Sequence, residues 1–159
     1  MTETAAELFF ALLCPNEGER KHAEARWRVA GVACSHFSVR VLLQVQPSDG
    51  EQFFCPHCGR PMPRYDSKMR RWKHLDTCGW PTFIKAAVPR VSCEEHGVVM
   101  IDVPWARPRS SFTRKVEARA RRGAGRGSIA EVARWLPMSR DQVERLVNSG
   151  SRGRRKRAE

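Results

Sequence analysis

The sequence predicts an α+β chain, a small β module followed by a helical segment, and three observations predict it. The first is a matched pair of turns, Cys55-Pro56-His57-Cys58-Gly59 and Cys93-Glu94-Glu95-His96-Gly97, with 34 residues between Cys58 and Cys93. The second is apolar alternation with period two around those turns, the pattern of half-buried strands. The third lies beyond residue 127, where two capping-box signatures each precede apolar residues at helical spacing.

The turns carry the chemistry. Zinc takes four soft or borderline ligands in a tetrahedron, and thiolate and imidazole are preferred. Two residues between ligands let one tight turn aim both side chains at a single ion. Gly59 and Gly97 supply the positive φ such a turn demands. For one isolated pair, redox or packing cysteines would be an equal reading; two matched pairs favour metal. The prediction is one structural zinc ion held by Cys55, Cys58, Cys93 and His96, which makes the β module zinc-ribbon-like. His57, His74 and Cys78 are rival ligands. His57 sits inside its turn, where a side chain normally points away from the ion, and Cys78 has no partner at ligand spacing.

Composition bounds the function. With 159 residues the chain holds one domain or two small ones and has no room for a large enzyme core. Its formal charge of +12 favours an anionic partner, either nucleic acid or an acidic membrane surface. The charge is uneven: residues 113–159 carry 14 basic and 5 acidic residues, whereas residues 1–54 carry 5 and 7. The six cysteines do not form a disulfide scaffold and fit a reducing compartment. The longest apolar run, Leu8 to Cys14, is too short to span a bilayer, and it follows Glu3 and Glu7 where a signal peptide would be basic. The expectation is a soluble, cytoplasmic protein.

In chain order, residues 1–52 are expected to form a helix and a β-ribbon packing on the metal module. Thr4 caps a helix to Leu13, with Glu7 completing the box, and Asn16 to Glu24 is loop. Trp27, Val29 and the alternation Val39, Val41, Leu43, Val45 form the ribbon, which must lean on something to be stable. Residues 53–107 form the metal-binding domain. Within it Arg70 to Asp76 interleaves basic and aromatic residues, while Phe83 to Val91 and Val98 to Val103 are strands. Cys14 and Cys34 are structural or free thiols.

Residues 112–148 form the helical segment. A basic helix from Phe112 to Arg122, carrying Arg114 and Lys115, is broken by Gly123-Ala124-Gly125. Ser128 with Glu131, and Ser139 with Gln142, start two further helices, and small Ala133 allows them to cross closely. Their apolar faces, Ile129, Val132 and Leu136 against Val143, Leu146 and Val147, make a helix-turn-helix pattern whose second helix enters the major groove. Ser139, Arg140, Gln142 and Arg145 are then the DNA-facing residues. The plainer reading is a helical hairpin, and Pro137 occupies the turn where glycine is usual. Residues 149–159 are expected to be a disordered basic tail in which Arg152, Arg154, Arg155, Lys156 and Arg157 add sequence-independent phosphate contacts.

The stretches FFCPHCG, YDSKMRRWKHLDTCGW and VPRVSCEEHGVVMIDVPWARPRSSFT resemble the N-terminal part of insertion-sequence transposases of the ISL3 family. Arg71 to Asp76 and Val103 to Pro108 are the most specific marks. The resemblance implies a zinc finger, whose ligand pairs fall on Cys55, Cys58, Cys93 and His96, then a helix-turn-helix. In the family a catalytic DDE domain of RNase H-like fold follows, and none is visible in this chain. The resemblance therefore implies a non-catalytic protein whose partner is double-stranded DNA, at terminal inverted repeats. Rival readings are a repressor competing for those ends, an assembly module binding full-length transposase or a second copy of itself, and a decayed fragment.

Overall fold

The computed structural model describes residues 18, 26–35, 40–136 and 138–155. The helix expected from Thr4 to Leu13, Cys14, the loop to Glu24 apart from Gly18, Val39, Pro137, Lys156 and Arg157 lie outside the described residues. The chain divides into two compact units, one ending at Thr113 and one beginning at Arg114.

The first unit is built on a five-stranded sheet of β1 (Trp27–Ser35), β2 (Arg40–Pro47), β5 (Arg64–Lys73), β6 (Thr82–Cys93) and β7 (Gly97–Met100). Between β2 and β5, β3 (Phe53–Phe54) and β4 (Pro61–Met62) form a separate hairpin. The strand order is β1-β2-β6-β5, with β7 also on β6. β6 is the central strand. On one edge it pairs antiparallel with β5; on the other it takes β2 in parallel over Thr82 to Ala86, then β7 from Arg90 to Cys93. Pro89 falls in the gap between those two partners, so its missing N–H breaks no ladder, and its carbonyl accepts from Ile101 at 3.1 Å.

The sheet corrects one expectation and adds two features the sequence did not show. The ribbon of β1 and β2 meets the metal module edge-on and continues the same sheet, with Leu43 paired to Ile84. An isolated hairpin leaves open edges, and lateral pairing with β6 satisfies one of them. The basic-aromatic stretch around Trp72 is a strand, β5, which the sequence conceals because only Trp72 on it is fully buried. The strand expected from Val98 to Val103 is shorter and ends at Met100.

The core lies on one sheet face. Leu43, Val45, Ile84, Ala86 and Val88 point into it, in step with the burial alternation of β6. Trp105, fully buried, closes the face and meets Trp27 at 4.9 Å and Trp72 at 5.7 Å between ring centroids, both edge-on. Those two partners belong to the outer strands β1 and β5, so Trp105 spans the width of the sheet. His74 is not a metal ligand. It is buried, and its Nδ1 lies 2.9 Å from Thr113 Oγ1.

The second unit has three helices among its described residues: α1 (Arg114–Ala124), α2 (Ile129–Trp135) and α3 (Arg140–Arg155). Both capping boxes are present. The Ser128 hydroxyl accepts from Glu131 N at 3.3 Å while Glu131 returns a carboxylate oxygen to Ser128 N at 2.8 Å. The Ser128 backbone N–H first, and then its hydroxyl, which donates to the same carboxylate oxygen at 3.1 Å, hold the Glu131 carboxyl below its ordinary pKa. At α3, Gln142 N donates to Ser139 Oγ at 3.3 Å and Ser139 N to Gln142 Oε1 at 3.0 Å. Val116, Ala120, Val132, Leu136, Val143 and Leu146 form the buried set. Leu136 ends α2 with extended backbone, as a residue before proline must.

The helices differ from expectation in one place and carry one feature the sequence did not show. α3 runs on to Arg155, through the first part of the segment expected to be disordered. Once its capped first turns exist, each added residue gains one hydrogen bond, and arginine is a good helix former. Gly123 lies inside α1 and is buried; a Cβ there would stand 2.7 Å from Val132 Cγ2. It acts as the small residue of a close helix crossing, and the helix ends one residue later, at Ala124, within the triplet expected to break it. Gly123→Ala gains about 1 kcal/mol of helix propensity but forces a displacement that typically costs about 1–3 kcal/mol. We expect a net loss of thermal stability, partly recovered when Val132→Ala is added. A melting temperature equal to or above that of the parent would contradict the crossing.

Candidate metal centre

Two hairpin turns build the site. The first joins β3 to β4: Cys55 follows β3, Gly59 N donates to Cys55 O at 2.9 Å, and Cys55 N donates to Arg60 O at 2.9 Å. The second is the β6–β7 turn, where Cys93 ends one strand and pairs with Gly97 at the start of the next. Gly59 and Gly97 have φ of +69° and +68°, the left-handed conformation expected of them. Open space surrounds both, so a side chain there would cost backbone strain and no clash.

The four expected ligands converge. One donor atom from each of Cys55, Cys58, Cys93 and His96 lies within 4.8 Å of every other. A tetrahedral zinc with Zn–S about 2.3 Å and Zn–N about 2.0–2.1 Å places sulfurs about 3.8 Å apart and sulfur and nitrogen about 3.6 Å apart. Cys58 Sγ lies 3.8 Å from Cys93 Sγ; His96 Nδ1 lies 3.7 Å from Cys55 Sγ and 3.4 Å from Cys93 Sγ. The separation also excludes a disulfide, and these cysteines are free thiols. The residues fit one structural zinc ion, with all four tetrahedral positions taken by protein.

Electrostatics within the cluster point the same way. Burial raises the Cys55 thiol, but the amides of Cys58 and His57 aimed at its sulfur outweigh that and hold its pKa down. At Cys58 the Arg60 amide acts downward, while desolvation and the neighbouring sulfurs of Cys55 and Cys93 push the thiol up on balance. A divalent cation among these sulfurs converts mutual repulsion into ligation. Around the cluster, the His57 ring stands 5.0 Å from that of His96 between centroids, beside the ligand set and outside it. Arg60 Nη1 and Glu95 Oε1, 2.7 Å apart, tie the two turns together at the surface. Cys34 and Cys78 are exposed and outside the cluster.

The residues expected to face DNA lie in the helical unit. Arg140 is exposed at the first turn of α3. Arg145 is exposed and donates from Nε to Asp141 O at 3.2 Å, while Ser139 and Gln142 are engaged in the cap. Arg114 and Lys115 open α1, half-buried. Arg152, Arg154 and Arg155 belong to the last turns of α3. A cleft of about 260 Å³ between α1 and α2, lined by Arg119, Arg122, Arg126 and the exposed Trp135, was not anticipated from the sequence. The spacing of Arg119 and Arg122, three residues apart on α1, is the helical signal that could have found it.

A zinc-binding β module joined to a capped helix-turn-helix defines a class of DNA-associated protein. Residues 51–96 match the family described as zinc-finger of transposase IS204/IS1001/IS1096/IS1165, and residues 101–150 match the helix-turn-helix domain of transposase family ISL3. The chain thus carries the zinc-finger and helix-turn-helix modules of ISL3-type transposases. It is 37% identical over 76 residues to the transposase for insertion sequence element IS1557 of Mycobacterium tuberculosis, in strains CDC 1551 / Oshkosh and ATCC 25618 / H37Rv alike. That stretch covers 46% of this chain and 17% of the relative. No solved structure matches the chain.

Zinc analysis of purified protein should return one equivalent, and Cys93→Ser should lose it. Binding of a structural zinc is worth roughly 10–16 kcal/mol and doubles as folding energy. Full zinc content in the serine variant would overturn the ligand assignment.

Proposed function

We propose that this chain binds double-stranded DNA at the terminal inverted repeats of an insertion sequence. The zinc holds the β module in shape, and α2 and α3 act as the helix-turn-helix. Its part in transposition is end recognition, and the zinc, with four protein ligands and no position for water, is structural. The observation that carries the reading is the start of α3, where Arg140 stands exposed on a helix whose first turn is fixed by the Ser139–Gln142 box. In a helix-turn-helix, side chains at that position reach base edges. The match of residues 101–150 to the ISL3 helix-turn-helix supports it.

Arg140 can pair bidentately with guanine, and loss of such a pairing costs about 1–3 kcal/mol of discrimination. Gel shifts with inverted-repeat and random duplexes should therefore show Arg140→Ala narrowing the gap between them, with the random duplex little affected. The same protein incubated with magnesium should leave both strands whole. Unchanged discrimination in Arg140→Ala would reject the α3 assignment, and nicked product would reject the recognition-only role.

A further inference from the structure

The sheet has a second face, opposite the tryptophan core, that the metal centre and the helix-turn-helix leave without a role. Cross-strand partners share a face, so the register defines it. One row runs Ala33, Leu42, Phe83, Lys73 across the four strands; the next runs Gln44, Lys85, Arg71. Leu42, Phe83 and the exposed Met69 form the floor of a groove of about 460 Å³, with Arg40, Arg71 and Lys85 around it. Arg71 and Lys73 stand over the Phe83 ring at 5.1 and 5.4 Å. No carboxylate lies in these rows among the described residues; Lys73 Nζ meets Asp76 at 3.3 Å beyond the end of β5.

The register also sets Arg71 directly opposite Lys85. Like charges in that relation destabilise a sheet. Here neither has a carboxylate in its row to offset the repulsion, whereas a bound anion would. The floor between the cations is apolar, which matches a polymer alternating anionic phosphate with apolar sugar. The cations already occupy the Phe83 ring, which leaves no stacking platform for an unpaired base.

We propose that this face is a second DNA contact, gripping the phosphodiester backbone of a duplex through Arg71 and Lys85 without reading sequence. The inference rests on the DNA-binding reading of the chain and adds a surface to it. Two contacts carried on one chain raise the effective concentration of each for the same duplex.

The test uses the zinc-loaded full chain and the dependence of affinity on salt. Removing one phosphate contact lowers the slope of log K against log salt by about 0.9. Lys85→Gln should lower it by about that amount and Arg71→Gln/Lys85→Gln by about 1.8, on inverted-repeat and random duplexes alike. Lys85→Arg should behave as the parent. Because a repulsion is removed, the melting temperature of Lys85→Gln should be unchanged or raised, a result that loss of fold cannot mimic. If both glutamine variants keep the parental slope while Arg140→Ala still loses discrimination, this face is not a DNA contact and the helix-turn-helix reading stands. If the parent binds no duplex but binds polyglutamate in a Lys85-dependent way, the face takes an acidic protein and the DNA reading fails with it.

Discussion

Four donor atoms drawn from two hairpin turns are the constraint on which the β unit depends. β3 and β4 are two residues each, far below the length at which a hairpin stands alone. Nothing in their own pairing would hold Cys55 and Cys58 beside β6. Ligation by Cys93 and His96 from the β6–β7 turn clamps one hairpin to the other. A domain is typically stable by only about 5–15 kcal/mol, so an ion contributing energy of that order would decide whether this end of the sheet exists.

β6 connects this clamp to the rest. Its first half alternates Thr82, Ile84, Ala86 and Val88 into the core, and its last residue, Cys93, is a ligand. The same strand therefore transmits order from the metal to the face closed by Trp105. Trp105 is fully buried between two tryptophans on opposite outer strands, and replacing such a residue by alanine typically costs about 3–5 kcal/mol. The marks most specific to the ISL3 resemblance, around Trp72 and Trp105, are thus packing residues. Trp72 and Trp105 hold the scaffold in shape, while Arg71, within the first of those marks, faces the opposite side of the sheet.

Much of the site was legible in the sequence because its signals are local. Ligand spacing with glycine in each turn, and Ser with Glu or Gln three residues on, are short-range patterns whose geometry the chain enforces by itself. Pairing at long range was not legible. The parallel contact of β2 with β6 depends on an edge of β6 that no local pattern reveals, and β5 hid behind its charges because its inward side buries little besides Trp72. The packing role of Gly123 was hidden for a related reason: a glycine near a helix end looks the same whether or not it also admits a neighbouring Val132. The like-charged pair Arg71 and Lys85 became visible only with the register, since 13 residues lie between them in the chain.

The claim that metal ligation organises the β unit is tested most directly by amide hydrogen exchange with and without a zinc chelator. Removing zinc should release the amides of residues 53–62 and 90–100 first and then those of β6 and β5. Protection in α1 and α3, which belong to the separately packed helical unit, should survive. Unchanged protection at the two turns after zinc has left would show that the sheet stands without its ion, and would contradict the account.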